Sequence, residues 1–460
     1  MNGILLCLTA FLSCGLITSL NWRYGLCIFI MWGYSFGILK AYTFESFGHF
    51  IFDFATVGFY SGLIVSNTFK NSEKRIQKVV HWVYWLVGWP VIVALIPMQH
   101  YLVQIIGLRG NIFWIPMLLV GAILDFRCIR LVALCISFLN IFAFLVALAE
   151  YVIGVDKIFP ENEATKIVLH SNDIAGGHHR IPSTFTNAHT YAAAMVSSIP
   201  WILMHLFRSK NNDRSWIKII EYCGILVAVL GVFVAGPKTP AVLLFLMLGL
   251  TLLFGRIGLQ GILALVLIGS ISAYFINTNE RFQRFTEVSD LDGVVKRMEV
   301  SVNSSFLDIL LDNPVGDGMG SGGTSLPGFA QNLLTTYEGR KYLENEYSRV
   351  ILEQGWVGLA IFLSFAVWII RIKPNPKSDM SLGRVCFWVL AILNFSIAWM
   401  GIGMMSVVPG TALFFMGIGL TALRCLPDEN QRFPNRDSII YLKYNDLGYL
   451  PAYQRGLANS

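Results

Sequence analysis

Hydrophobic residues gather along this chain in runs near twenty residues long, separated by short polar and often basic connections. That is the pattern of helices crossing a bilayer, not of helices or strands with one wet face. About thirteen such spans are predicted, near 4–20, 24–40, 50–66, 79–97, 102–124, 131–152, 189–207, 219–235, 240–255, 257–276, 349–370, 385–403 and 407–424. The expected fold is all-α: a polytopic transmembrane helical bundle of about 12–14 spans over residues 1–424, followed by a tail, 425–460. Two connections, 153–188 and 277–348, are far longer than the rest, and loops of that length are usually functional or disordered. The second is expected to be partly helical. No internal repeat of the kind found in inverted-repeat transporters is visible.

Alternating the spans places on one side Arg23, the set Lys70, Lys74, Arg75 and Lys78, then Arg127 and Arg130, then Arg208, Lys210, Arg214 and Lys218, and finally Arg371, Lys373, Lys377 and Arg384. By the positive-inside rule that side is the cytoplasm. The tail, with Arg424, Arg432, Arg436, Lys443 and Arg455, falls there too and is expected to be cytoplasmic; both long loops are then external. Composition agrees with a lipid solvent: 55% hydrophobic and 13% charged residues, with a mean hydropathy of +0.60, against roughly a quarter charged in soluble domains. The run from Ile4 to Leu20 has no basic residues before it and no small-residue cleavage site after it, and reads as a retained span. The eight cysteines imply no disulfide framework. A net charge of +6 without a soluble basic face excludes a nucleic-acid partner.

A few polar residues need a reason. Arg109, in Gly-Leu-Arg-Gly of the fifth span, would lie about 10 Å below the outer end; a charge at that depth is either functional or paired structurally, with Asp53 or Glu150 as the available acids. Lys238, in Gly-Pro-Lys-Thr-Pro, occupies a tight outer turn from which it could simply snorkel. The loop 153–188 carries His170, Asp173, His178, His179 and Arg180, whose spacing matches no closed metal-ligand set. The segment Ser183-Thr-Phe-Thr-Asn-Ala-His189 reads as a polar re-entry bringing Asn187 and His189 to the mouth of the bundle. Loop 277–348 opens with Arg281 and Arg284, continues with Lys296 and Arg297, and shows Val295, Met298, Val302, Phe306 and Ile309 at helical spacing. That spacing predicts an amphipathic helix lying on the bundle or the membrane surface. It is followed by Asn313-Pro314-Val-Gly-Asp-Gly-Met-Gly-Ser-Gly-Gly, a turn able to aim backbone N–H groups at phosphate. It lacks the lysine-serine pair of a nucleotide-binding loop. The loop closes with Glu344-Asn345-Glu346-Tyr-Ser-Arg349-Val-Ile-Leu-Glu353-Gln-Gly355-Trp-Val-Gly358, whose carboxylates and arginine could cap the next helix and pair with one another.

This arrangement resembles the O-antigen ligase and Wzy polymerase superfamily of bacterial membrane proteins. In that family a large outer loop near the C-terminal end carries an arginine, an Asn-Pro turn ending Gly-x-Gly, and a His-Asn pair about eleven residues before a glycine in a pattern ending Glu-x-Gly-x-x-Gly. Here Arg297, Asn313-Pro314-Val-Gly316-Asp-Gly318, Asn345 and Glu353-Gln-Gly355-Trp-Val-Gly358 match the pattern. Two positions depart from it. Glu344 stands where the family has histidine, and Gly236-Pro237-Lys238-Thr239 stands where Ser-Arg-Gly is common.

The resemblance implies a GT-C-like fold in the bacterial cell inner (cytoplasmic) membrane. It also implies glycosyl transfer at the outer face from an undecaprenyl-pyrophosphate-linked glycan, with membrane lipid and other polysaccharide assembly proteins as further partners and with no cofactor and no metal. Ligases of the family depend on the missing histidine, so polymerisation of repeat units into O-antigen, exopolysaccharide or capsule is the expected activity. The catalytic pair implied is Glu344, as base, with Arg297. Arg109, Lys238, Arg281, Arg284, Asn187, His189 and Asn345 are the expected substrate-binding residues. A ligase, a flippase or transporter of lipid-linked saccharide, and a peptidoglycan glycosyltransferase of the shape, elongation and division family remain alternatives.

Overall fold

The computed structural model describes residues 2–43, 46–70, 72–162, 165, 179–207, 214–255, 269–270, 295, 306–323, 326, 330, 333–334, 345–374, 381–399 and 407–423. Among them every regular element is a helix. Helices α1 (Gly3–Leu20), α2 (Trp22–Ala41) and α3 (Ile51–Val65), the last preceded by a 3-10 turn Ser46–Phe50, are followed by α4 (Glu73–Ile76), α5 (Val80–Ala94), α6 (Tyr101–Ile112) and α7 (Met117–Ile123). Then come α8 (Phe126–Ile153), α9 (Val155–Ile158), α10 (Ala188–Leu206), α11 (Ser215–Ala235) and α12 (Lys238–Gly255). Short α13 (Phe306–Asp312) precedes α14 (Glu346–Arg371), α15 (Ser381–Ile397) and α16 (Gly410–Thr421).

Eight helical segments among the described residues are long and apolar enough to cross a membrane, and three shorter apolar helices accompany them. The chain is therefore a multi-pass helical membrane protein. All of the expected span 257–276 except residues 269–270, the basic connection 208–213 and the tail Cys425–Ser460 lie outside the described residues.

Helix boundaries follow local chemistry. Asn2 caps α1 by accepting from the Ile4 and Leu5 N–H groups, and Asn21, between α1 and α2, caps the second by accepting from Arg23 N at 3.1 Å. Asp125 caps α8 through Cys128 N at 2.8 Å, so that helix starts earlier than the expected 131. The expected span 102–124 is two helices, because Pro116 removes an N–H where the backbone turns between α6 and α7. The carbonyl of Phe113 in that turn accepts instead from the Tyr60 hydroxyl at 2.7 Å.

Burial separates peripheral from central helices. Helix α1 leaves Leu5, Leu12 and Leu16 exposed on one side, as lipid contact requires. On the other it meets α3 so closely that a Cβ on Gly58 would stand 2.3 Å from the Phe11 carbonyl oxygen. Helix α10 is buried at every position except His189 and Ala193, and α16 at every position. These two are the inner helices. Tyr34, Asn140 and Ser198 tie α2, α8 and α10 together: the Tyr34 hydroxyl donates to Asn140 Oδ1, and Asn140 Nδ2 donates to Ser198 Oγ, both at 2.8 Å.

The two ends of the bundle differ. At the basic end, Arg23 Nε donates to Asp125 at 3.3 Å. There too Arg75 Nη2 donates to the Leu124 carbonyl at 2.7 Å, satisfying the end of α7. His205 and Glu221 form a wholly buried pair between α10 and α11. The opposite end carries the connections 153–188 and 277–348 and is called the loop end.

Candidate functional site

The loop end of α14 holds the densest polar cluster among the described residues. Asn345 caps the helix, its Oδ1 accepting from Tyr347 N at 2.8 Å and Ser348 N at 3.3 Å. Spacings of three and four residues then bring Glu346, Arg349 and Glu353 onto one face. Arg349 Nε donates to Glu346 Oε1 at 3.2 Å and Nη1 to Glu353 Oε2 at 2.7 Å. The two glutamates are 0% exposed and Arg349 3%. From α6, Asn111 enters the same cluster: its Nδ2 donates to Glu353 Oε2 at 2.7 Å, while its Oδ1 accepts from Arg349 at 3.1 Å and from Gln354 at 3.0 Å. A small cavity beside Asn111 and Gln354 is otherwise lined by α5 and α14, chiefly Trp85, Leu86, Pro90 and Phe362.

Immediately below the cluster α14 breaks. Gly355 has φ 67° and ψ −165°, a conformation that glycine adopts without steric cost. The break frees backbone groups, and the glycine-rich turn fills it. Trp356 N donates to the Pro314 carbonyl at 2.9 Å, and Asp317 N donates to the Leu352 carbonyl at 2.6 Å. Ser321 Oγ donates to the same Leu352 oxygen at 3.2 Å, and Gln99 Nε2 donates to the Asp317 carbonyl at 3.0 Å. Backbone contact is so close that a Cβ on Gly107 of α6 would stand 2.2 Å from Gly320 N. The Asn313–Gly318 turn and the Glu353–Gly358 ending, separate in sequence, are thus one packed unit with α6 as its third wall.

A second group of charges sits near the loop ends of α2 and α3, with Arg109 in the last turn of α6. Arg109 Nη1 lies 3.3 Å from Asp53 Oδ2, with its guanidinium over the Phe50 ring at 5.5 Å. Lys40 lies in the last turn of α2, and His49 lies in the 3-10 turn Ser46–Phe50 that leads into α3. Glu150, the other acid considered for Arg109, instead accepts from Ser183 N at 2.8 Å, and Ser183 adopts a left-handed φ of 54°.

The remaining expected residues are spread over the loop end. Asn187 caps α10, accepting from Thr190 N at 2.8 Å. His189 Nε2 lies 2.8 Å from Arg180 Nη1. Lys238 opens α12, just after Gly236 at φ 90°. Glu344, Arg297, Arg281 and Arg284 lie outside the described residues, as do His170, Asp173 and His178 of the first long loop. Among the described residues no group of three His, Cys, Asp or Glu side chains is placed to hold a metal ion.

The mutual pairing read at the start of α14 is present, with Arg349 as its centre. Asn111, Gln354, Lys40 and His49 were not singled out from the sequence. Lys40 carried a usable signal, being a basic residue at the end of a span expected to face outward, against the positive-inside trend. Asn111, two positions from Arg109 in the same span, carried another.

Chemically the two groups differ. The guanidinium of Arg349 is engaged on both sides by protein acids and an amide, so it organises the fold of this corner and has little left to offer a ligand. Arg109 meets Asp53 through Nη1 and keeps 27% of its side chain exposed, which leaves donors that suit an anion. No protein-family model matches the chain and no curated protein matches it.

Proposed function

We propose that this protein is a glycosyltransferase of the cytoplasmic membrane that polymerises undecaprenyl-pyrophosphate-linked repeat units at the external face. The observation that carries the reading is the docking of the Asn313–Gly318 turn into the break at Gly355. The two motifs that resemble the polymerase superfamily meet there, beside the helix that carries Arg109. The loop end is taken as external because basic residues concentrate at the other end.

In the reaction an acceptor sugar hydroxyl attacks C1 of the donor glycan. The C1–O bond to pyrophosphate breaks, and the diphosphate leaves with the electron pair. Cations stabilise the developing charge; Arg297 and Arg109 are assigned to it, with Lys238, Arg281 and Arg284 guiding the anion and Asn187, His189 and Asn345 contacting sugar. Glu344, one residue before the cap of α14, receives the hydroxyl proton, a role typically worth about a hundredfold or more. No cofactor enters the scheme.

A second reading, transport of a lipid-linked saccharide, draws on the buried His205–Glu221 pair near the basic end, since ion-coupled transporters need ionisable groups reachable from both sides. Purified protein in nanodiscs, given lipid-linked repeat units, separates the readings. A ladder of products lost in Glu344→Gln and in Arg297→Ala supports polymerisation. Transfer to a lipid A core acceptor would mean a ligase, and movement of unextended substrate across vesicles would mean transport. Normally inserted variants that still make full-length polymer would remove both residue assignments.

A further inference from the structure

The short helix α13 has three faces, and the bundle explains only one of them. Ile309 is buried against Ile351 and Leu352, with Phe306 and Leu310 packed alongside. This is the face that sequence periodicity marked as apolar. A second strip, Leu307 and Leu311, is 66% and 69% exposed, and Val315 continues it beyond the helix at 57%. A third edge, Asp308 and Asp312, is also exposed. At 100° per residue the leucine strip and the aspartate strip are adjacent and distinct.

The position of α13 fixes what the leucines meet. Trp356 Nε1 donates to the Leu310 carbonyl at 2.6 Å, so α13 lies at the level of Trp356. From Gln354 to Ile370, α14 has no charged residue, a length of about 25 Å at helical rise, close to a hydrocarbon core. Exposed Trp356 and Val357 begin an apolar stripe that Leu363, Val367 and Ile370 continue towards the basic end. The exposed leucines of α13 therefore lie at the level where that lipid-facing stripe begins, while its aspartates require water or headgroups.

We propose that α13 is an interfacial foot: Leu307 and Leu311, with Val315, rest in the boundary between acyl chains and headgroups of the bilayer at the loop end, and Asp308 and Asp312 face water. The chain runs from this foot directly into the Asn313–Gly318 turn, so the bilayer holds the turn in the break at Gly355. Nothing in this inference depends on glycosyl transfer. It needs only a protein that sits in a membrane.

Full-length protein carrying photoreactive p-benzoylphenylalanine singly at 307, 308, 311 or 312, in nanodiscs, tests it by intact-mass detection of lipid adducts. Positions 307 and 311 should give lipid adducts in at least about fivefold higher yield than 308 and 312, as an amphipathic helix in the interface requires. Equal yields at all four positions, or cross-links from 307 and 311 to this chain or a second copy, overturn the proposal. As a separate reading, the double variant Leu307→Glu with Leu311→Glu should quicken amide exchange at Asp317 and Trp356 by about tenfold. Unchanged exchange there would show that lipid contact at these leucines does not hold the turn.

Discussion

Arg349→Ala should be among the most damaging single substitutions in the loop end, and the structure gives the reason and the rank. Arg349 stands between two carboxylates that are both 0% exposed. Truncating it leaves Glu346 and Glu353 buried with no cation, and breaking a buried pair by removing one partner costs about 3–5 kcal/mol. Glu353→Gln is milder. It keeps the Arg349–Glu346 pair and leaves an amide oxygen able to accept from Asn111 and Arg349, so about 1.5–3 kcal/mol is expected, in line with hydrogen bonds to charged groups. Arg349→Lys should fall between them, since a lysine cannot bridge both acids and Asn111 in one plane. The triple change Arg349→Met, Glu346→Gln, Glu353→Gln should recover much of the loss, because neutral packed groups can replace a buried ionic triad. Heating full-length protein in detergent and following the surviving monodisperse fraction gives the order of midpoints, the proper readout when unfolding is irreversible. If Arg349→Ala melts with the wild type, or Glu353→Gln falls as far as Arg349→Ala, the argument from buried charge is wrong.

Gly355→Ala should destabilise by at least about 1–3 kcal/mol from backbone strain, since a Cβ there would also stand 2.5 Å from the Pro314 carbonyl oxygen; the same melting assay checks it, and amide exchange at Asp317 should rise with it. Asn345→Ala should cost about 1 kcal/mol as a lost helix cap and Asn345→Ser should restore it; polymer yield that falls in both would assign the amide a role in sugar binding beyond capping. Arg109→Ala and Asp53→Asn should couple in a double-mutant cycle by about 1 kcal/mol, because Nη1 and Oδ2 stand 3.3 Å apart without a hydrogen bond between them. A larger effect of Arg109→Ala than of Asp53→Asn on product laddering, at matched stability, is expected if the arginine serves the leaving diphosphate.

The bundle was legible because a bilayer imposes a long apolar run on each crossing helix, and periodicity alone recovers such runs. Interruptions inside a run were not. The turn between α6 and α7 falls within one continuous apolar stretch, marked only by Pro116, and the break in α14 shows in sequence as a glycine that could equally be a packing contact. Likewise the leucines on the exposed face of α13 were overlooked, since the stronger period, ending at Phe306 and Ile309, marks the face turned to the bundle. Which helix is central was also hidden. Helix α10 carries Thr190, Ser197, Ser198 and His205, which lower its hydropathy, and those polar residues are buried among other helices instead of in contact with lipid.

For the candidate site, composition of the motifs was readable but their contacts were not. The two glycine motifs are about forty residues apart, and the backbone bonds Trp356 to Pro314 and Asp317 to Leu352 help to join them. Such bonds use no side chain and so leave no residue signature beyond the glycines that permit the approach. The same contacts reassign the charges. An arginine so close to the motif would be the natural choice to hold a diphosphate, yet Arg349 is saturated by Glu346, Glu353 and Asn111. Taking it away from them for a ligand would strand two buried carboxylates, a loss larger than a phosphate contact near the surface returns. A diphosphate bound at this end of the bundle, as proposed, would therefore draw its positive charge from residues outside the triad, and Arg109, part-exposed beside Asp53, is the described arginine assigned to it.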